Sequence, residues 1–216
     1  MSLSILQKRI YTSSLLIFTV LLIFKFNTIL VYFLIILGVL SILEFINLTK
    51  KINLNQYILI LINSFFIFYV FVYCVFFFFF SNIEIFKLIL FILLFGCIAS
   101  DIGGFVFGKI FKGPKLTPIS PNKTFTGSAG SLILSTIVVS FLSFFFINTL
   151  NFKIVLVALI TSMFCQLGDL LFSFLKRKAN LKDTGKILPG HGGILDRLDG
   201  IFFGVPFGFL ALIFLN

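Results

Sequence analysis

Long uncharged or nearly uncharged stretches alternate with short polar connectors along this chain, at roughly 10–24, 28–46, 54–80, 85–107, 125–148, 153–175 and 200–215. A helix crosses about 30 Å of hydrocarbon with about 20 apolar residues. The pattern therefore predicts an all-α fold, a polytopic helical membrane protein with about seven transmembrane helices. Eight or nine stay open, because the stretch at 54–80 is long enough to tilt or to break in two. The first stretch follows Lys8 and Arg9 and looks like a signal peptide, yet no small-residue cleavage site follows it and further spans do. It is expected to remain attached as a membrane anchor.

The connectors carry an orientation. Lys50 and Lys51 follow the second stretch, a basic connector follows the fourth, and the most basic one follows the sixth. Those between hold Lys25, then Glu84 with Lys87, then Lys153. Lys and Arg excess thus alternates, which places the N-terminus and both rich loops in the cytoplasm and favours an odd number of spans. The chain is expected to divide into N-terminal transmembrane helices (1–83) and a catalytic membrane region (84–216) with cytoplasmic loops at about 101–127 and 176–199.

Composition agrees. Charged residues make 11% of the chain, against about 25% in soluble globular proteins. The net charge of +10 follows the same loop bias, so no nucleic-acid partner is expected. Cys74, Cys97 and Cys165 all fall in apolar stretches, with neither metal-ligand spacing nor an evident disulfide role. No internal repeat is visible, which weighs against an inverted-repeat transporter.

In the first rich loop, Asp101 is followed by Lys109, Lys112, Lys115 and Lys123, interleaved with glycines and with Pro114, Pro118 and Pro121. Glycine permits close backbone approach to an anion, and proline stiffens the turn. The run Ser120, Pro121, Asn122, Lys123, Thr124 directly precedes an uncharged helix, where it offers hydroxyls, an ammonium and helix N-terminal amides to a phosphate. A merely solvated positive loop is the competing reading. The run from Gly103 to Lys109 imitates a phosphate-binding loop, but Ile110 stands where Ser or Thr is required and a membrane helix precedes it.

The second loop begins within the sixth stretch, where Gln166, Asp169, Ser173 and Arg177 recur on one helical face. A carboxylate as deep as Asp169 costs ~2.5 kcal/mol or more unless it meets a partner or a wet cavity. Either it binds a cation in a polar, cytoplasm-facing cavity, or it pairs structurally with Arg177 or a lysine. Asp196 and Asp199 lie three apart at the entrance to the last stretch, neighbours if helical. With Asp169 and Asp101 they form a set of hard oxygen donors suited to Mg²⁺, with a second cation left open, and unsuited to zinc. His191, the chain's only histidine, lies among glycines and is a candidate for a phosphate or proton role. Gly200, Gly204 and Gly208 give the last stretch a small-residue face, read as internal packing in preference to a dimer seam. Carboxylates for a metal and many cations for phosphates are the equipment of phosphoryl or nucleotidyl transfer.

The C-terminal run resembles the signature of the phosphatidate cytidylyltransferase (CDP-diacylglycerol synthase) family. Ser173, Lys176-Arg177, Lys182-Asp183, His191-Gly192-Gly193 and Asp196-Arg197-Leu198-Asp199 fit its pattern without a gap. The Asp101 segment and Ser120–Thr124 are also similar to that family's second cytoplasmic loop, so the likeness covers roughly 95–205. It departs at Thr126, where the family usually has glutamate, and at Asn122, where lysine is common. The resemblance implies transfer of a cytidylyl group from CTP to phosphatidate, with Mg²⁺ held by Asp169 and Asp196. It implies phosphate and substrate contacts from Lys176, Arg177, Lys182, Asp183, Ser173, Gly192, Gly193 and Arg197, besides Ser120, Lys123 and Thr124. It further implies a bacterial inner-membrane location, an active site facing the cytoplasm, and a homodimer. The rivals are a CDP-alcohol phosphotransferase, whose Asp-Gly-x-x-Ala-Arg core is missing, a cation channel or transporter using Asp169, and an inactive relative.

Overall fold

The computed structural model describes residues 18–20, 22–120, 122–185, 187 and 192–215. Its helices are α1 (Asn27–Thr49), α2 (Gln56–Ser81), α3 (Glu84–Phe111), α4 (Phe125–Ile147), α5 (Phe152–Lys178), α6 (Leu195–Leu198) and α7 (Ile201–Leu215). Counting Leu195–Leu215 as one, six helices among the described residues are long and apolar enough to cross a membrane, and the protein is an integral membrane protein. The stretch at 54–80 is one unbroken helix, α2. The first expected span falls largely outside the described residues, which are helical at 18–20 and 22–25.

The chain forms two compact units, one of residues up to Asn82 with Leu175–Leu198, the other of Ile83–Phe174 with the segment from Asp199 onward. In the first unit, α1 and α2 meet along single stripes. Phe66, Val70, Tyr73, Phe77 and Ser81 are buried on α2 at spacings of three and four residues, the period of one helical face. Gly38 of α1 lets α2 come close: a Cβ there would stand 3.3 Å from Cys74 Sγ and 3.4 Å from Val70. The Phe45 and Phe66 rings stack at 3.9 Å, and Thr49 Oγ1 donates to Asn63 Oδ1 at 2.8 Å.

The same unit holds the C-terminal end of α5. There the Leu181 amide donates to the Lys176 carbonyl, and the Asn180 amide to that of Arg177. Asn180 itself is left-handed (φ 53°). This pair of bonds around a left-handed residue satisfies carbonyls that the helix leaves open and reverses the chain. Leu181 is thereby turned back onto Leu48, Ile52 and Ala179. Left-handed Lys112 and Asn148 end α3 and α4 in a related way.

In the second unit, α3 and α4 approach backbone to backbone. A Cβ on Gly103 would collide with the Gly130 carbonyl, one on Gly127 would stand 2.7 Å from the Gly104 carbonyl oxygen, and one on Gly130 would strike Phe107. This is why the expected loop at 101–127 is helical over Asp101–Phe111 and starts only at Lys112. Gly103, Gly104 and Gly108 serve helix contact. Small residues are the usual means of close packing in lipid, where apolar burial drives nothing. Polar side chains tie the contact further: Ser131 Oγ donates to the Ser100 carbonyl at 2.7 Å, and the Ser100 and Ser162 hydroxyls lie 2.8 Å apart. The face of Gly200, just before α7, and of Gly204 and Gly208 on it is used inside the chain, against Cys165, Cys97 and Thr161.

These contacts separate two classes of glycine. Gly103→Ala should lower the melting temperature of the solubilised protein, since overpacking typically costs about 1–3 kcal/mol. Gly38→Ala, which needs only a small side-chain shift, should be neutral or slightly stabilising. A Gly103→Ala protein that melts at or above the wild-type temperature would contradict this packing.

Candidate active site

The polar residues singled out in the sequence fall on both units. In the second unit, α5 carries Gln166, Asp169 and Ser173 on one face. Gln166 accepts from Ser128 Oγ at 2.5 Å and donates to Ser162 Oγ at 3.4 Å. Asp169 forms an ion pair with Lys123, both side chains about a quarter exposed (30% and 25%). Ser173 Oγ donates to Asp169 Oδ1 at 3.4 Å. Asp169 thus has a lysine partner, from the loop before α4.

That loop is built to hold Lys123 in place. Leu116 N donates to the Lys123 carbonyl (2.8 Å), Lys123 N to the Ser120 carbonyl (3.0 Å), and Phe125 N to the Pro114 carbonyl (3.0 Å). Thr124 caps α4, its Oγ1 accepting from Gly127 N at 3.0 Å. Thr126 Oγ1 accepts from Gly113 N at 3.2 Å and lies 3.1 Å from Thr124 Oγ1. The Thr126 hydroxyl therefore closes the loop on itself.

In the first unit, Lys176 and Asp196 pair at 2.8 Å with side chains only 12% and 9% exposed. The other oxygen of Asp196 accepts from Thr184 N (2.8 Å) and Gly193 N (3.0 Å). Gly192 has φ +86°, and a Cβ there would stand 3.2 Å from Asp196 Oδ2 and 3.6 Å from Asp183. Its left-handed backbone admits glycine readily and lets the chain pass between the two aspartates. Arg177 donates to the Leu181 carbonyl at 3.3 Å; Lys182, Asp183 and Arg197 are exposed.

Sequence reasoning missed Glu44. It is 4% exposed on α1 and accepts three hydrogen bonds from Thr184, Ile194 and Leu195. The signal was available, since Glu44 is the single carboxylate in a span otherwise free of charge.

The four aspartates expected to hold a metal are distributed. Asp101 is exposed on α3, ten residues or about 15 Å of helical rise before Phe111, and Cys165 Sγ lies 3.9 Å from its Oδ1. Asp199 is buried, with its Oδ1 accepting from Gly200 N at 2.9 Å. Asp101, Asp169 and Asp199 belong to the second unit and Asp196 to the first. Among the described residues, no three His, Cys, Asp or Glu side chains gather closely enough to hold a metal. His191 lies outside the described residues. The donor chemistry does fit Mg²⁺, which takes one or two carboxylates and leaves its other positions to water and substrate phosphates. In the present arrangement an ammonium stands beside each of Asp169 and Asp196, as a cation would.

The chain's sequence matches the model of the Cytidylyltransferase family over residues 7–215. It is 50% identical over 109 residues to the phosphatidate cytidylyltransferase of Staphylococcus haemolyticus, covering 50% of this chain and 42% of that protein. It is 41% identical over 117 residues to the phosphatidate cytidylyltransferase of Helicobacter pylori, covering 54% and 44%. The Staphylococcus aureus protein of that name is 50% identical over 109 residues, covering 50% and 42%. The matches thus span less than half the length of these curated relatives.

The two ion pairs differ in burial, and so should their mutants. Lys176→Met leaves a largely buried carboxylate uncompensated, which costs about 3–5 kcal/mol. Lys123→Met, at a partly exposed pair, should cost about 1 kcal/mol or less. Adding Asp196→Asn to Lys176→Met should recover part of the lost melting temperature. Equal destabilisation by the two single variants would contradict the burial difference.

Proposed function

We propose that this chain, which belongs to the Cytidylyltransferase family by a match covering residues 7–215, is a phosphatidate cytidylyltransferase. CTP and phosphatidate would give CDP-diacylglycerol and pyrophosphate. That match carries the reading, and relatives bearing the enzyme's name support it. A phosphate oxygen of phosphatidate attacks the α-phosphorus of CTP; the new O–P bond forms as the bond to pyrophosphate breaks. The attacking oxygen is already ionised, so no strong general base is needed.

Both reactants are anions, and their mutual repulsion is the main obstacle. Lys123, Lys176, Arg177, Lys182 and Arg197 supply positive charge to phosphates. Asp169 and Asp196 hold Lys123 and Lys176 in the absence of substrate. When phosphate draws either ammonium away, the carboxylate it leaves is a hard ligand for a divalent cation. Bound Mg²⁺ would screen the reacting phosphates and stabilise the departing pyrophosphate. Ser120, Ser173 and the backbone at Gly192 and Gly193 serve as neutral donors and spacers. The basic loops face the cytoplasm, where CTP is found, and the membrane is the bacterial inner membrane. A homodimer would have to use a face other than Gly200, Gly204 and Gly208, which are occupied within the chain. A cation conduit is disfavoured, because the acids it would use each face a lysine.

The test is turnover of α-labelled CTP with phosphatidate and Mg²⁺ by purified solubilised protein, counting label in the lipid phase. Label should appear, should vanish with EDTA, and should fall by roughly 100-fold or more in Asp169→Asn and Asp196→Asn. Near-normal Mg²⁺-dependent turnover by either variant would refute the role given to that carboxylate.

A further inference from the structure

Glu44 is the one charged side chain of α1, five residues before its C-terminal end, and a carboxylate in a membrane helix calls for an account. Its surroundings are specific. Thr184 Oγ1 and Leu195 N donate to Oε2 at 2.9 and 2.8 Å, and Ile194 N donates to Oε1 at 3.1 Å. A Cβ on Gly185 would stand 2.8 Å from its carboxyl carbon, and one on Gly193 would stand 2.5 Å from Oε2. Two glycines are therefore wrapped around one carboxylate, and neither admits a side chain.

The donors belong to the segment that also holds Asp196. Thr184 gives its hydroxyl to Glu44 and its amide to Asp196. Farther along the chain, Gly193 N goes to Asp196, and the next two amides, Ile194 and Leu195, go to Glu44. Two carboxylates thus staple the same two segments, 184–185 and 193–195. Glu44 also takes amides at the start of α6, the short helix that bears Asp196 and Arg197. What remains of Asp196 is Oδ1, which meets Lys176.

We infer that Glu44 is a positioning residue for the reaction: it ties Thr184 to Ile194 and Leu195 and thereby fixes the direction in which Asp196 and Arg197 are presented. It touches neither substrate nor reacting atoms in this role. Carboxylate charge matters because both oxygens must act only as acceptors. A glutamine would bring an NH₂ against at least one donor already pointing at it, at nearly unchanged volume.

The inference rests on the proposed nucleotidyl transfer only for its kinetic arm, so the experiment has two arms on the full chain in detergent. Glu44→Gln should lower kcat per folded molecule by roughly tenfold or more while KM for CTP changes less than about twofold, the mark of a misplaced group as opposed to lost binding. In the same protein, amide hydrogen exchange across 193–195 should speed up by about tenfold, with α2 unchanged. Should Glu44→Gln fail to fold, Thr184→Val deletes one donor only, and roughly threefold effects in both readouts are expected. Wild-type kcat or wild-type exchange in the folded variant overturns the inference. If the wild-type chain turns over no CTP, the functional reading fails by itself, and the exchange arm alone decides whether Glu44 anchors the loop.

Discussion

A carboxylate within a membrane helix costs about 2.5–3.5 kcal/mol before it finds partners, and this chain is organised around meeting that cost at several places. Asp169 faces Lys123, Asp196 faces Lys176 and two amides, and Glu44 collects three donors. Each partner comes from a different part of the sequence, so each acid fixes a loop to a helix. The polar loops, which have little apolar surface of their own, gain their shape from these few bonds.

The two units use different means. In the second, shape comes from small residues: Gly103, Gly127 and Gly130 bring α3 and α4 together, while Gly200, Gly204 and Gly208 seat α7 against Cys165, Cys97 and Thr161. Such contacts are rigid and specific but carry no charge. In the first, the described residues after α5 are held by Leu181 in an apolar cluster and by the carboxylates of Glu44 and Asp196.

Much of this was legible in the sequence. Hydropathy alone located α1 to α5 and α7, because a span must be uncharged over its whole length, and the Asp-Arg-x-Asp and His-Gly-Gly run pointed to the chemistry. A lysine partner for Asp169 is one of the two readings its depth allows, but that partner, Lys123, is 46 residues away and no local pattern names it. The helical course of Asp101–Phe111 was missed because glycine and lysine read as loop; only the close face of α4 makes them helical. Glu44 went unnoticed for a similar reason, its donors lying 140 to 151 residues downstream.

The central claim is that this chain joins a cytidylyl group to a phosphatidate oxygen. Phosphorus NMR of purified protein with CTP, phosphatidate and Mg²⁺ tests it most directly, because it identifies the bond broken and the bond formed together. The account predicts paired resonances of a lipid pyrophosphate diester growing in equal amount with free pyrophosphate. Unchanged reactants in folded protein, or CTP cleaved to CDP and orthophosphate, would contradict it.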